Sequence, residues 1–358
     1  MHEIDPSVAI GKNVTLEVDR LTIGPNAAIG DDTTIVGAEA VIGPGVRIGA
    51  GVTIRAEHFS AGRGGRIEDA CLLSGLGGSA KRIEVGDHFF LGSDSKLLMP
   101  TVVTGDYVSL HNHLLANGLR PCFIGHNTWV GQNCVLNSNE LLTIGNNVGI
   151  GAYTSIYTHG FFGELLEGCE VFNVAPVVIE DDAWLIGAYN VVSPGVTVGR
   201  RAIVLTSSVV SHDVAAERCV AGAPAQDVTD RIKPFRAVTS EEKLSLMKGF
   251  VDEYVAERGE SHEPSDCGFE VHCSDGRVRV IEVRSTVSPG DFSDDAEGVV
   301  YVAENPQEVR FAGVTVFDLT EKTYGKLGSD FEADVISFMN SYRARFVPAG
   351  RPRVAAPS

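Results

Sequence analysis

The stretch AIGKNVTLEVDRLTIGPNAAIGDDTTIVGAEAVIGPGVRIGAGVTI, residues 9–54, places an aliphatic residue near every sixth position: Ile10, Leu16, Ile23, Ile29, Ile35, Ile42, Ile48 and Ile54. A helix repeats its apolar face every 3.6 residues and a half-buried strand every 2, so a period near six fits neither. It fits a solenoid of hexapeptide repeats, in which three short extended pieces and three turns close one triangular coil. Each aliphatic residue points inward onto its equivalents above and below, and no coil buries its face alone. The glycines that follow many of them suit a tight turn.

The rhythm resumes at Val85, Leu91 and Leu97, passes near Thr104 and Leu110, and runs on through Ile124, Val130, Leu136, Ile144, Ile150 and Ile156. After another break it returns as Ile179, Ile186, Val192, Val198, Val204 and Val210. A mainly β fold follows, a parallel β-helix over residues 1–234. Loop insertions are expected where the rhythm lapses, at about 56–81 and 157–175. Beyond Lys233-Pro234 the periodicity changes kind. SEEKLSLMKGFVDEYVAER, Ser240–Arg258, opens with a Ser cap and carries Leu244, Met247, Phe250, Val251 and Val255 at helical spacing. Strand-like runs follow at 268–272, 277–283, 299–303 and 309–317, then a helix at 329–342. Residues 235–358 therefore read as a separate small α+β domain of unknown role.

The net charge of -18 argues against a nucleic-acid backbone or an anionic membrane face as the main partner. Seven cysteines, odd in number and without CxxC spacing, read as reduced thiols. With no signal-peptide pattern and no apolar run of membrane length, the expectation is a soluble cytoplasmic protein.

Taking every third inward residue puts Ala116, Leu136, Ile156 and Val192 in one column. His159 lies three residues beyond Ile156 and Asn139 three beyond Leu136, so the two are expected to stack on one edge of the prism, with Glu140 and Asn117 close by. An imidazole on such an edge suits proton abstraction, because histidine titrates near neutral pH. Asn139 would orient the acceptor and Glu140 would hold the ring in one tautomer. His111 and His113, in SLHNHLLANG, read as acceptor contacts or as packing. With His88 and His126 they also leave a zinc site open as an alternative.

Residues 175–225 carry Pro176, Val177, Ile179, Asp181, Trp184, Ile186-Gly187, Val192, Gly195-Val196 and Val198-Gly199, then Ser208-Val209-Val210-Ser211-His212-Asp213-Val214 and Ala223-Pro224-Ala225-Gln226. This pattern resembles the acyl-coenzyme A-dependent hexapeptide-repeat acyltransferases, above all the sugar O-acetyltransferases. The resemblance implies a left-handed β-helix, a homotrimer, and a donor cleft between subunits in which acetyl-CoA lies extended toward a histidine, with no metal. It assigns Gly187 and Ala188 to the pantetheine arm, Thr206 and Ser207 further along it, His212 to the phosphate side, Pro224 to the adenine and Trp184 to the same cleft. Two positive charges of the pattern are absent, their places taken by His212 and Gln226, and Trp-Leu-Ile-Gly holds one residue more than the pattern's Trp-Ile-Gly, so a bulge is expected there. The implied function is acetyl or short-acyl transfer to a hydroxyl or amine of a small-molecule acceptor, a saccharide or a biosynthetic intermediate, with His159 as general base. Two alternatives remain: a zinc hydrolyase like the hexapeptide-type carbonic anhydrases, and a non-catalytic trimerising scaffold.

Overall fold

The computed structural model describes residues 2–161, 163–170, 172–258, 261–273, 275–304, 310–341 and 343–350. Two compact units divide the chain, Met1–Phe235 and Arg236–Arg351.

The first unit is a parallel β-solenoid. One strand of every coil joins a twelve-stranded sheet whose last pair alone is antiparallel, so the chain winds through eleven coils. Three inward columns form the core. One runs Ile10, Ile29, Ile48, Ile67, Leu91, Leu110, Val130, Ile150, Leu185 and Val204. The second includes Leu97, Ala116, Leu136, Ile156, Val192 and Val210, partners in successive coils. The third includes Ile124, Ile144, Ile179 and Val198. Nearly all of these side chains are fully buried in one continuous cluster. The early coils take nineteen residues rather than three hexapeptides, because Ala9, Ala28, Arg47 and Arg66 are successive partners. The extra residue is absorbed in nine-residue strands, Thr15–Ile23, Thr34–Ile42 and Thr53–Ala61, that run through a corner.

Two sequence expectations are corrected here. Residues 56–81 are not an extruded loop: Thr53–Ala61, Arg66–Ile67, Leu72–Ser74 and Ala80–Val85 are coil strands, with Phe59, Ile67 and Leu73 buried. The glycines there are turn residues; a Cβ on Gly62 would lie 2.3 Å from Asp87 Oδ1 in the next coil. Only residues 75–79 leave the coil. The inward residue after Ala183 is Leu185 and not Ile186, which is 39% exposed. The additional residue of Trp-Leu-Ile-Gly falls after the inward position and shifts the register between Ile150–Leu185 and Ala152–Ala188.

The second unit is a seven-stranded mixed sheet in sequence order, from Ser261–Ser265 to Val347–Pro348, with helices Ser240–Arg258 and Asp330–Asn340. Val278–Arg284, Gly298–Val302 and Val314–Asp318 pair in parallel at its centre. The first helix is capped by Thr239, not Ser240: the Glu242 N–H donates to Thr239 Oγ1 and the Thr239 N–H to Glu242 Oε2, a reciprocal capping box. The expected strand at 309–317 begins among residues outside those described. No helix among the described residues is long and apolar enough to cross a membrane.

Candidate active site

Each coil has three corners, and the insertions share one of them, between the second and third strands. Residues 75–79, 118–121, 138–141 and the excursion that begins at Tyr157 lie there, the last three in successive coils. The longest begins as a hairpin, His159–Phe161 against Phe172–Val174, with His159 opposite Val174 at its base. Its base is tied to the following coil by Asn173 Nδ2, which donates to the Pro194 carbonyl at 3.2 Å.

His159 is half-buried, and its Nδ1 lies 2.7 Å from Asn137 Oδ1. Asn137 is 3% exposed and closely held. Its Nδ2 donates to the Asn117 carbonyl of the coil below at 3.2 Å, while Oδ1 also accepts from the Thr158 hydroxyl at 3.0 Å. That network fixes which end of the amide faces the ring. The carbonyl end can only accept, so His159 Nδ1 carries the proton and the lone pair of the neutral ring sits on Nε2.

The partner of the ring is therefore Asn137, where counting by three predicts Asn139. The straight count fails because the chain leaves the coil at Thr158: its hydroxyl turns back onto Asn137 and accepts the Glu140 N–H at 3.0 Å. Asn139 is half-buried at the same corner, its N–H 3.4 Å from Asn137 Oδ1. The Glu140 carboxylate stands 3.8 Å from Arg120 Nε. Asn117 belongs to this edge, one coil below, in register with Asn137. That column of two asparagines was readable from the sequence as Asn117 and Asn137 beside the inward Ala116 and Leu136.

Gly187, Ala188, Thr206, Ser207 and Pro224 gather on a different corner, between the first and second strands. Gly187 takes φ +78°, and a Cβ there would lie 2.7 Å from the Thr206 side chain. The Thr206 hydroxyl donates to the Ala188 carbonyl at 2.9 Å and receives the Ala188 N–H at 3.2 Å. Ser207 N–H donates to the same carbonyl at 2.9 Å. Trp184 leads into this corner and is 37% exposed. His212 is on the His159 edge instead, its Nδ1 3.0 Å from Ser211 Oγ.

His111 and His113 also follow a first strand, so they lie on the edge of Gly187 and not on that of Asn117. His111 Nε2 accepts the Trp129 indole N–H at 2.6 Å, and burial lowers its pKa, both favouring a neutral ring. His113 Nδ1 is 3.9 Å from Asp94 Oδ2. His126 Nδ1 accepts the Asp106 N–H at 2.9 Å, and His88 stacks on Tyr107. Among the described residues no three His, Cys, Asp or Glu side chains converge as a metal site.

Comparison with known proteins places parts of this chain beside hexapeptide-repeat proteins. The family model described as the hexapeptide repeat of succinyl-transferase matches residues 21–56. Galactoside O-acetyltransferase of Escherichia coli is 30% identical over 117 residues, 31% of this chain and 57% of that protein. The chain belongs to the hexapeptide-repeat acyltransferase family. A 2,3,4,5-tetrahydropyridine-2,6-dicarboxylate N-acetyltransferase of Staphylococcus aureus is 44% identical over 85 residues, 24% of this chain and 31% of that one. A solved hexapeptide-repeat acetyltransferase of Vibrio cholerae, complexed with acetyl coenzyme A, is 30% identical over 39% of this chain and 69% of its own, with a TM-score of 0.29. The chain thus spans about a third to somewhat over half of these two curated family members.

Proposed function

We propose that the protein transfers an acetyl or other short acyl group from acyl-coenzyme A to a hydroxyl or amine of a small-molecule acceptor, a saccharide or a biosynthetic intermediate, in the cytoplasm. The observation that carries the proposal is the His159 ring, its Nδ1 proton held by Asn137 and its Nε2 left with the lone pair. The relatives add the reaction class, since one is named for O-acetyl transfer to a galactoside and another for N-acetyl transfer.

In this reading Nε2 takes the proton from the acceptor hydroxyl or amine as its oxygen or nitrogen attacks the thioester carbonyl. The tetrahedral oxyanion is steadied by a backbone N–H, then collapses and expels the thiolate, which recovers the proton from the imidazolium. No acyl-enzyme forms. Asn137 resists reorientation of the ring throughout, because two further bonds to its amide hold it. The Gly187, Ala188, Thr206 and Pro224 edge receives the extended donor, and glycine at 187 lets the backbone take φ +78° while packing against the Thr206 side chain.

The histidine edge and the donor edge are different corners of one prism, so a homotrimer is part of the proposal: the donor edge of one copy would face the histidine edge of the next. Mass spectrometry of acceptor panels with acetyl-CoA tests the reaction. Acetylated product that disappears in His159→Ala is the expected result; unchanged turnover in that variant would overturn the assignment.

A further inference from the structure

The outward positions of the twelve-stranded sheet follow an order that the candidate site does not use. Phe90 pairs with Ser109 and Ser109 with Trp129; Trp129 pairs with Gly149 and Gly149 with Trp184. Aromatic and small residues therefore alternate, and with parallel strands about 4.8 Å apart the rings recur every ~9.6 Å along the solenoid. Trp129 and Trp184 are 39% and 37% exposed, and Phe90 is half-buried. Large apolar side chains repeated on the outside of a rigid sheet mark an interaction surface.

The rings are braced. His111 lies between Phe90 and Trp129, with centroids 5.5 and 5.0 Å away, and its Nε2 holds the Trp129 indole N–H at 2.6 Å. A platform fixed before binding loses little freedom when a ligand settles on it. Below Phe90 the same outward column continues as Arg66 and Arg47. These are its only charged members among the described strands, in a chain with a net charge of -18. Arg66 also meets Glu68 and lies over the Phe90 ring.

We propose that this column binds an acidic oligosaccharide, its sugar rings lying on Phe90, Trp129 and Trp184 and its carboxylates facing Arg47 and Arg66. The apolar CH face of a pyranose suits an exposed aromatic ring, and Ser109 offers a hydroxyl between two of them. Two pyranose units of an extended chain span about the interval between rings. The arginines complement sparse negative charge. A nucleic-acid strand, with a phosphate on every unit, would need many more cations than two. At the far end Trp184 runs directly into Gly187 and Ala188, so the last ring of the bound chain would lie beside the donor edge. The inference rests on the acyl-transfer proposal only in naming the bound chain as an acceptor.

Binding is measured on the full chain without acyl donor, by calorimetry with hexagalacturonate and with maltohexaose, and acetyl transfer to monosaccharides is followed separately. Hexagalacturonate is expected to bind more tightly than maltohexaose, and the Arg47→Ala/Arg66→Ala pair to erase that preference. Trp129→Ala should weaken binding at least about tenfold, on the scale of a lost ring stack. Ser109→Glu, a change on the outer surface, should weaken it with the fold intact by circular dichroism. His159→Ala should bind like the parent even where transfer is abolished. Equal affinity for the two hexamers, no binding of either, or binding indifferent to Trp129 would overturn the proposal. So would dissociation of Trp129→Ala into smaller species by light scattering, since the column would then be a subunit interface.

Discussion

Asn137 Oδ1 and His159 Nδ1 stand 2.7 Å apart across two successive coils, and the coil beneath supplies the Asn117 carbonyl that keeps the asparagine amide from turning over. Three layers of the solenoid thus determine where one imidazole proton resides. The rigidity of the stack, in which every coil is hydrogen-bonded to the next, is what converts a side-chain contact into a fixed tautomer.

Removing the ring and removing its support should be separable. His159→Ala is expected to lower kcat by about 10²–10⁴-fold, the usual weight of a general base. Asn137→Ala should lower kcat with little change in the acetyl-CoA KM, because it frees the ring while leaving the Gly187 edge untouched. Asn137→Asp keeps an acceptor oxygen facing Nδ1 and should retain more activity than Asn137→Ala. Steady-state kinetics of the three variants would decide; equal rates for Asn137→Ala and the parent would remove the asparagine from the mechanism.

On the donor edge the sensitive position is Gly187. A side chain there meets Thr206 at 2.7 Å on a backbone with φ +78°. Gly187→Val should therefore raise the acetyl-CoA KM and lower stability by roughly 1–3 kcal/mol, whereas Thr206→Val, which deletes two hydrogen bonds to Ala188, should cost about 1–2 kcal/mol. Thermal unfolding with and without coenzyme A measures both effects. A Gly187→Val protein of parental stability and donor affinity would show that this corner is unconstrained.

Leu185 and Ile186 provide a direct check of the register. Leu185 is fully buried and Ile186 is 39% exposed. Leu185→Ala should cost about 2–5 kcal/mol through the cavity it leaves, and Ile186→Ala about 0.5 kcal/mol or less. The reverse order would place the extra residue before the inward position.

The architecture was legible because the inward residue of a solenoid is the same chemical choice repeated coil after coil, so Ile10 through Val210 announce the columns without any long-range information. Two features escaped. Leu185-Ile186 are chemically equivalent, and only the pairing with Ile150 shows which one turns in. Residues 56–81 hold turn glycines at a density that resembles a loop, while Phe59, Ile67 and Leu73 keep the core continuous. At the candidate site His159 stood out by its place in a long excursion, but its partner did not. The turn at Thr158 displaces the histidine from the regular count, and a spacing rule has no access to a side chain that bends the chain back.

Burial holds four solenoid thiols, Cys71, Cys122, Cys134 and Cys219, in their neutral form. Desolvation pushes Cys122 up to about 12, and Cys71 and Cys134 up to about 11. An unfolded thiol ionises near pH ~8.5, so the folded state favours the protonated group. The resulting stability is complete below the unfolded value and is lost as the pH rises through the folded ones. Denaturant midpoints should therefore be level below about pH 8 and fall progressively from pH ~9 toward 12. Substituting Cys122 with Val, similar in size and unable to ionise, should flatten that decline. In the native protein iodoacetamide at pH 8 should reach the half-buried Cys169, Cys267 and Cys273 first, and label Cys71, Cys122 and Cys134 only on unfolding. Peptide mapping after alkylation reads the order directly, and early labelling of Cys122 would mean that its coil opens in the folded state.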